Sequence, residues 1–400
     1  MPAFTHLRDD SRPFNELSFP EVGVLDAGEL RRRWSAWFDL GDSAPVPLRS
    51  LHATYLARML TGESDPVAAH WLSTVSVTSA RYQVIVQARS REHLCAHPAD
   101  LPPALRTPRW DALVERVSRW AELPEPEQTI VVSLLTQLGF PRTVMGLAGT
   151  LSMSASDHHL VYEIGRAAFQ LNRKSPVPRE IFGRLAEQAG RPALRVLSAL
   201  QLVSALSRGR DHANAAHWLG VAEREVGELS REPGWLAHLV TSRHHRAAAL
   251  HELSGGDREP VIAHMRAALD HDDALAALID DDPLSTHYQR ENRGLVLEAY
   301  LKLDTFAGTS CAPADAVDQL LVLDPVDPEP LYAIGAYRAS REDWQGAREV
   351  FWRAAGSGTL RGAEAARAAV VCSRKLGFEG DAELAHQLCL ELDPAAKDAP

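Results

Sequence analysis

Six histidines crowd one stretch of this sequence: His238, His244, His245 and His251, then His264 and His271. Imidazoles gathered in this way can ligate a metal or carry protons. His238 and His245 lie seven residues apart, as do His244 and His251, so on a helix each pair shares a face two turns apart. A helical metal site more often uses histidines at i and i+4 with a carboxylate between, as in HExxH. His251 and Glu252 begin such a motif, but Gly255 stands where the second histidine would be. The four cysteines, Cys95, Cys311, Cys372 and Cys389, form no CxxC pair and lack zinc-site spacing. Neither a metal nor another cofactor is expected. The histidines are expected to be hydrogen-bonded or polar-face groups, and the cysteines small buried thiols in a reducing compartment.

Other reactive types also fall short of a catalytic pattern. Asp270, Asp272, Asp273, Asp280, Asp281 and Asp282 are dense enough for a calcium loop. The mid-loop glycine and twelfth-position glutamate of such a loop are missing. A solvated acidic turn is the expectation, with docking of a basic segment as its functional alternative. Residues 152–159 bring serine, aspartate and histidine together. A hydrolase triad draws on residues distant in sequence and there is no GxSxG elbow, so Ser154 or Ser156 is expected to cap a helix. There is no phosphate-cradling GxxxxGK[ST] or GxGxxG loop. The Gly139-Phe140-Pro141 turn separates two helical stretches, but the second, RTVMGLAGTL, has one arginine where a DNA-reading helix would carry several base-contacting side chains.

The formal charge of −11 opposes non-specific attraction to nucleic acid. Only Lys174, Lys302, Lys375 and Lys397 among the 42 basic residues are lysine, a bias that reads as a high-GC, bacterial genome. No apolar run reaches the roughly 18 residues a membrane helix needs, and the opening residues lack the apolar core of a signal peptide. A cytoplasmic chain is expected, partnered with neither nucleic acid nor membrane.

The elements that would position these side chains are helical almost throughout. Glu29 to Leu40 and Pro47 to Leu60 carry apolar residues at helical spacing, and residues 65–94 are expected to form one long helix despite their β-branched content. After a proline-rich connector at residues 97–109, helices are expected over Trp110 to Ala121 and Glu127 to Leu138. Short turns then join one helix to the next, which implies antiparallel neighbours. Pro176-Val177-Pro178 starts one helix, and Gly190-Arg191-Pro192 links it to another ending near Ser207.

A longer period overlies the helical one. Leu323-Asp324-Pro325 recurs 69 residues later as Leu392-Asp393-Pro394. Between them, residues 328–355 place Leu331, Ile334 and Gly335 on a first helix and Ala347, Phe351 and Ala354 on a second. Flanking units show weaker matches: Leu297, Tyr300, Leu301, Val317, Leu320 and Pro325 in one, with Pro313 replacing a small residue, and Ala366, Ala369, Ala382, Cys389 and Pro394 in the other. Upstream, Ala248, Ala249, Met265 and Ala268 fit a hairpin over 242–275, and residues 193–228 form a divergent pair. Small residues suit a close helix crossing, and each unit leaves an apolar face that only a neighbour can cover.

These positions resemble the tetratricopeptide repeat family, most clearly over 235–395. The resemblance implies an all-α, right-handed α-solenoid of antiparallel helix hairpins over 141–400, preceded by a helical region of unassigned role at 1–140. It also implies a non-catalytic scaffold or adaptor that binds a protein or peptide in a groove lined by the first helix of each hairpin. Carried onto this sequence, the groove positions are Arg243 and Arg246, Glu298 and Lys302, Glu329 and Tyr332, then Arg367 and Arg374. The lysine and asparagine set by which some members clamp a chaperone's C-terminal carboxylate is not recognisable. A peptide-sensing regulator and an accessory subunit of a specialised biosynthetic pathway are the alternatives.

Overall fold

The computed structural model describes residues 97–392, apart from 101–107, 139, 150–157, 172–174, 230–233, 254–257, 280–282, 324–327 and 356–359. The expected helices before residue 97, Cys95, the serine caps and the acidic turn at 280–282 lie outside the described residues.

Helix boundaries follow local chemistry. In order, the described α-helices are α1 (Pro108–Ser118), α2 (Glu125–Leu138), α3 (Pro141–Ala148), α4 (His158–Leu171), α5 (Pro176–Gln188), α6 (Pro192–Arg208), α7 (His212–Leu229), α8 (Trp235–Glu252), α9 (Arg258–Leu278), α10 (Pro283–Ala307), α11 (Ala316–Leu323), α12 (Pro328–Ser340), α13 (Trp344–Ala355), α14 (Leu360–Lys375) and α15 (Glu379–Leu392). Proline opens α1, α3, α5, α6, α10 and α12, where its fixed φ suits a first turn and its missing N–H costs nothing. The Ser175 hydroxyl accepts from the Val177 amide to cap α5, and the Asp343 carboxylate accepts from the Gly346 amide to cap α13. α14 ends on Gly377, whose φ of 77° lies in the left-handed region that glycine enters without a Cβ penalty.

From α2 onward the helices pair into hairpins: α2/α3, α4/α5, α6/α7, α8/α9, α10/α11, α12/α13 and α14/α15. Most helices pack chiefly on their immediate neighbours, whereas α2 packs chiefly on α4. The first helices also touch one another in series, α2 on α4, α4 on α6, and so on to α12 on α14. Among the second helices, α13 and α15 make comparable contact. First helices therefore form a continuous layer, the inner one, with the second helices set against it, as in an α-solenoid. Among the described residues the fold is all-α, a stack of helix hairpins.

The core runs along the stack as overlapping clusters. One joins α1 to α7 and includes Trp120, Leu135, Leu160 and Phe182. A second carries Ala186, Val196, Ala222 and Val240, and shares its partly buried Leu197 and Trp218 with the first. A third packs Ala249, Met265, Val296 and Tyr300, and a fourth runs from Leu297 to Cys389.

The close crossing expected at Gly335 is present. A Cβ added there would lie 2.6 Å from Phe351 Cε1, well inside van der Waals contact. Phe351 thus fills its own hairpin beside Gly335, with the Tyr332 ring 5.4 Å away. The α4/α5 hairpin repeats the arrangement. A Cβ on Gly165 would lie 2.9 Å from both Ile181 Cγ2 and Phe182 Cζ, and the Tyr162 and Phe182 rings meet edge-on at 5.5 Å. Tyr162-Glu163-Ile164-Gly165 and Tyr332-Ala333-Ile334-Gly335 are 170 residues and four hairpins apart.

The unit in which Pro313 breaks the pattern has a short second helix, α11. Its preceding loop is irregular and is organised by Asp304, which is buried. That carboxylate accepts from Thr309 Oγ1 and the Cys311 amide at 2.7 Å each, and from the Ala312 amide at 3.2 Å. Arg341 reaches the same carboxylate from beyond α12 at 3.4 Å. Cys372 and Cys389 are both buried, on α14 and α15, and are free thiols, as is Cys311.

Candidate functional site

Side chains of the inner layer reach one another across helix boundaries and so mark a common face. The Gln201 amide on α6 donates to the Tyr162 hydroxyl on α4 at 3.2 Å. Arg243 on α8 meets Glu291 on α10 at 3.6 Å, and Lys302 on α10 lies 3.9 Å from Glu329 on α12. These contacts draw α4, α6, α8, α10 and α12 into one polar row.

The α4 end of the row is tightly paired. Arg166 donates to both carboxylate oxygens of Glu163 at 3.0 and 3.1 Å. That carboxylate raises the pKa of the Arg166 guanidinium, with Glu291 adding to the effect from α10. Burial raises the Tyr162 phenol, and the positive charges of Arg166 and Arg243 oppose the shift. Glu163, Arg166 and Arg243 therefore act on one electrostatic patch spanning α4 to α10. Arg243 Nε is buried without a hydrogen-bond partner, while its terminal nitrogen holds Glu291.

Each groove residue expected from sequence has a definite place. Arg243 and Arg246 are half-buried on α8. Glu298 is buried on α10 and accepts from Lys302, one turn on, at 2.5 Å. Glu329 and Tyr332 are half-buried on α12, and the Tyr332 ring packs on Phe351. Arg367 and Arg374 are exposed on α14. The structure links Lys302, Glu298 and Glu329, whereas Arg243 pairs with Glu291, which the sequence reading did not single out. Glu163, Arg166 and Gln201 were missed likewise. The recurrence of Tyr-x-Ile-Gly was their signal, because it sets Tyr162 in the place Tyr332 occupies four hairpins later.

Beneath the row lies a buried polar network. Asn292 donates to Ser242 Oγ at 2.9 Å and to Asp272 Oδ1 at 2.7 Å, and Ser242 donates to the Ala268 carbonyl at 2.7 Å. Gln289 and Arg293 also reach Asp272, at 3.1 and 3.5 Å. Burial raises the Asp272 carboxyl, and the bonds from Asn292 and Gln289 and the charge of Arg293 oppose it. With one backbone carbonyl, these side chains tie α8, α9 and α10 together.

The histidines expected on two successive helices face each other across α8 and α9. His238 Nδ1 lies 3.1 Å from His271 Nδ1, and His245 Nδ1 lies 3.1 Å from His264 Nδ1. Among the described residues, no group of three or more histidine, cysteine, aspartate or glutamate side chains is arranged to hold a metal ion. Nor, among them, is any helix long and apolar enough to cross a membrane. His158, from the serine-rich run, accepts from the Gly190 amide at 3.2 Å through Nδ1.

No family model matches the chain, and no curated protein does. The crystal structure of the APC/C hetero-tetramer Cut9-Hcn1 is similar over 92% of this chain and 73% of its own, at 14% identity and a TM-score of 0.30. The architecture stated above rests on the helix pairing itself.

Proposed function

We propose that this protein is a non-catalytic scaffold that binds an extended segment of a partner protein along its inner helical layer. The observation carrying this reading is the polar row formed across successive first helices. Arg166 and Arg243 stand toward one end, Glu298, Lys302 and Glu329 in the middle, and exposed Arg367 and Arg374 at the other end. Guanidinium groups grip carboxylates through parallel hydrogen bonds, and a tyrosine offers rigid area with a polar tip. The order suits a segment with acidic ends and a basic or apolar centre.

Peptides selected from a random display library against the full chain test the reading. Binders are expected to carry acidic residues near their ends. Arg367→Glu combined with Arg374→Glu is expected to weaken them about tenfold, with a smaller loss at high salt because exposed charges are screened. Both arginines are exposed, so the variant should keep its helicity. Tyr332 is a poorer choice, since its contact with Phe351 would mix binding with folding. Selected peptides that bind the double variant as tightly as the original protein would move the site off the inner layer.

A further inference from the structure

The α8/α9 hairpin is joined partly by imidazoles, set beside its buried apolar residues Ala249, Met265 and Ala268. His238 meets His271 and His245 meets His264, each through Nδ1···Nδ1 at 3.1 Å. His245 and His271, from different pairs, stack at 5.6 Å with 20° between their rings. His244 is buried beside them, its ring 5.4 Å from that of His245. The result is a four-rung ladder zigzagging between two helices, with a fifth imidazole at its flank.

Such a ladder has a fixed proton capacity. Two Nδ1 atoms at hydrogen-bond distance share one proton, so one ring donates and the other must keep its lone pair. A pair can therefore carry at most one positive charge. A second proton puts N–H against N–H and breaks the contact. The stack sets the two pairs side by side, so charging both also places like charges next to each other. We propose that this histidine ladder is an acid-released joint: mild acidification opens the α8/α9 hairpin while the C-terminal hairpins stay folded.

The surrounding charges favour that outcome. Burial, with the neighbouring imidazoles, pushes His244 and His245 down to about 4. His271 is also lowered by burial and by His238, and Asp270 on α9 opposes this. On α8 the nearby cations are Arg243, held by Glu291 of α10, and Arg246. α10 also presents Arg293, which is engaged by Asp272 and Asp273. α7 contributes another imidazole, His212, whose ring faces that of His251 at 6.3 Å, and His217, whose ring meets Trp218. Arg195 of α6 is held by Glu225. The sign is fixed by the direction of the shifts. The closed hairpin binds fewer protons than the opened one, so its stability is complete above the ordinary histidine pKa and is lost as pH falls from there toward about 4.

Because α8 also carries Arg243, opening the joint would release that end of the binding row. This consequence rests on the reading proposed above, but the joint can be tested with no ligand present. Hydrogen exchange of the full chain is measured at about pH 7 and about pH 5, corrected for the intrinsic pH dependence of exchange. Peptides from α8 and α9 should lose protection by on the order of tenfold or more at the lower pH. Those from α12 to α15, where His386 is the single histidine, should change little. In His245→Gln combined with His271→Gln, the pH response of α8 and α9 should shrink by at least about half. If that variant does not fold at neutral pH, His264→Gln is used, with a reduced response expected. Equal protection of α8 and α9 at both pH values would overturn the proposal. So would loss spread evenly over all hairpins, or an undiminished response in a folded variant.

Discussion

At Gly335 the constraint is one of space. Phe351 occupies the volume a side chain would need, and its ring is wedged between two helices, with little freedom to withdraw. Gly335→Leu is expected to destabilise the protein by ~1–3 kcal/mol, the usual cost of overpacking, as measured by urea unfolding. Phe351→Leu in the same chain should recover part of that loss. Asn292 poses the opposite problem. Asn292→Ala removes a donor from the buried Asp272 carboxylate and from Ser242, and should cost ~1–3 kcal/mol in the same measurement. The two sites differ in how visible they are in sequence. Gly335 sits in a pattern of small and large residues at repeat spacing. Asn292 bonds to residues 20 and 50 positions away, and no periodicity marks such a pair.

At the scale of elements, proline marked several helix ends well. Helix α1, however, runs Pro108–Ser118 rather than the expected Trp110 to Ala121, because Pro108, read as part of the connector, serves as its first residue. Pro141, Pro176 and Pro192 fall at helix starts, as their chemistry requires. Helix α2 starts at Glu125, two residues earlier than its apolar spacing suggested, because acidic and proline residues suit a first turn without adding to an apolar stripe. Pro313 was legible as a break in the repeat, but the remedy was not. Asp304 gathers four donors that the shortened hairpin would otherwise leave scattered. Asp304→Ala should destabilise the protein by ~2 kcal/mol and speed exchange at the Cys311 and Ala312 amides, with α4 to α7 unaffected. The candidate site was half legible for a related reason. Membership of a first helix can be read from the repeat, whereas the partner a charge finds depends on the angle between neighbouring hairpins.

Across the whole molecule, cohesion comes from each hairpin leaning on the next. Such a chain is expected to lose structure in sections, because stability is a sum over units and interfaces. Gly335→Leu should then raise hydrogen exchange in α12 to α15 far more than in α2 to α5; a uniform rise would indicate a single cooperative unit. The same neighbour-only contacts also bear on how the chain is made. Closing a hairpin requires joining segments only about 34 residues apart, so the entropic cost of each step is small. As the chain leaves the ribosome, a finished hairpin can dock on the one before it while later ones are still being translated. At any moment during synthesis the sticky surface awaiting its cover is then the face of a single hairpin, and the next stretch to emerge supplies it.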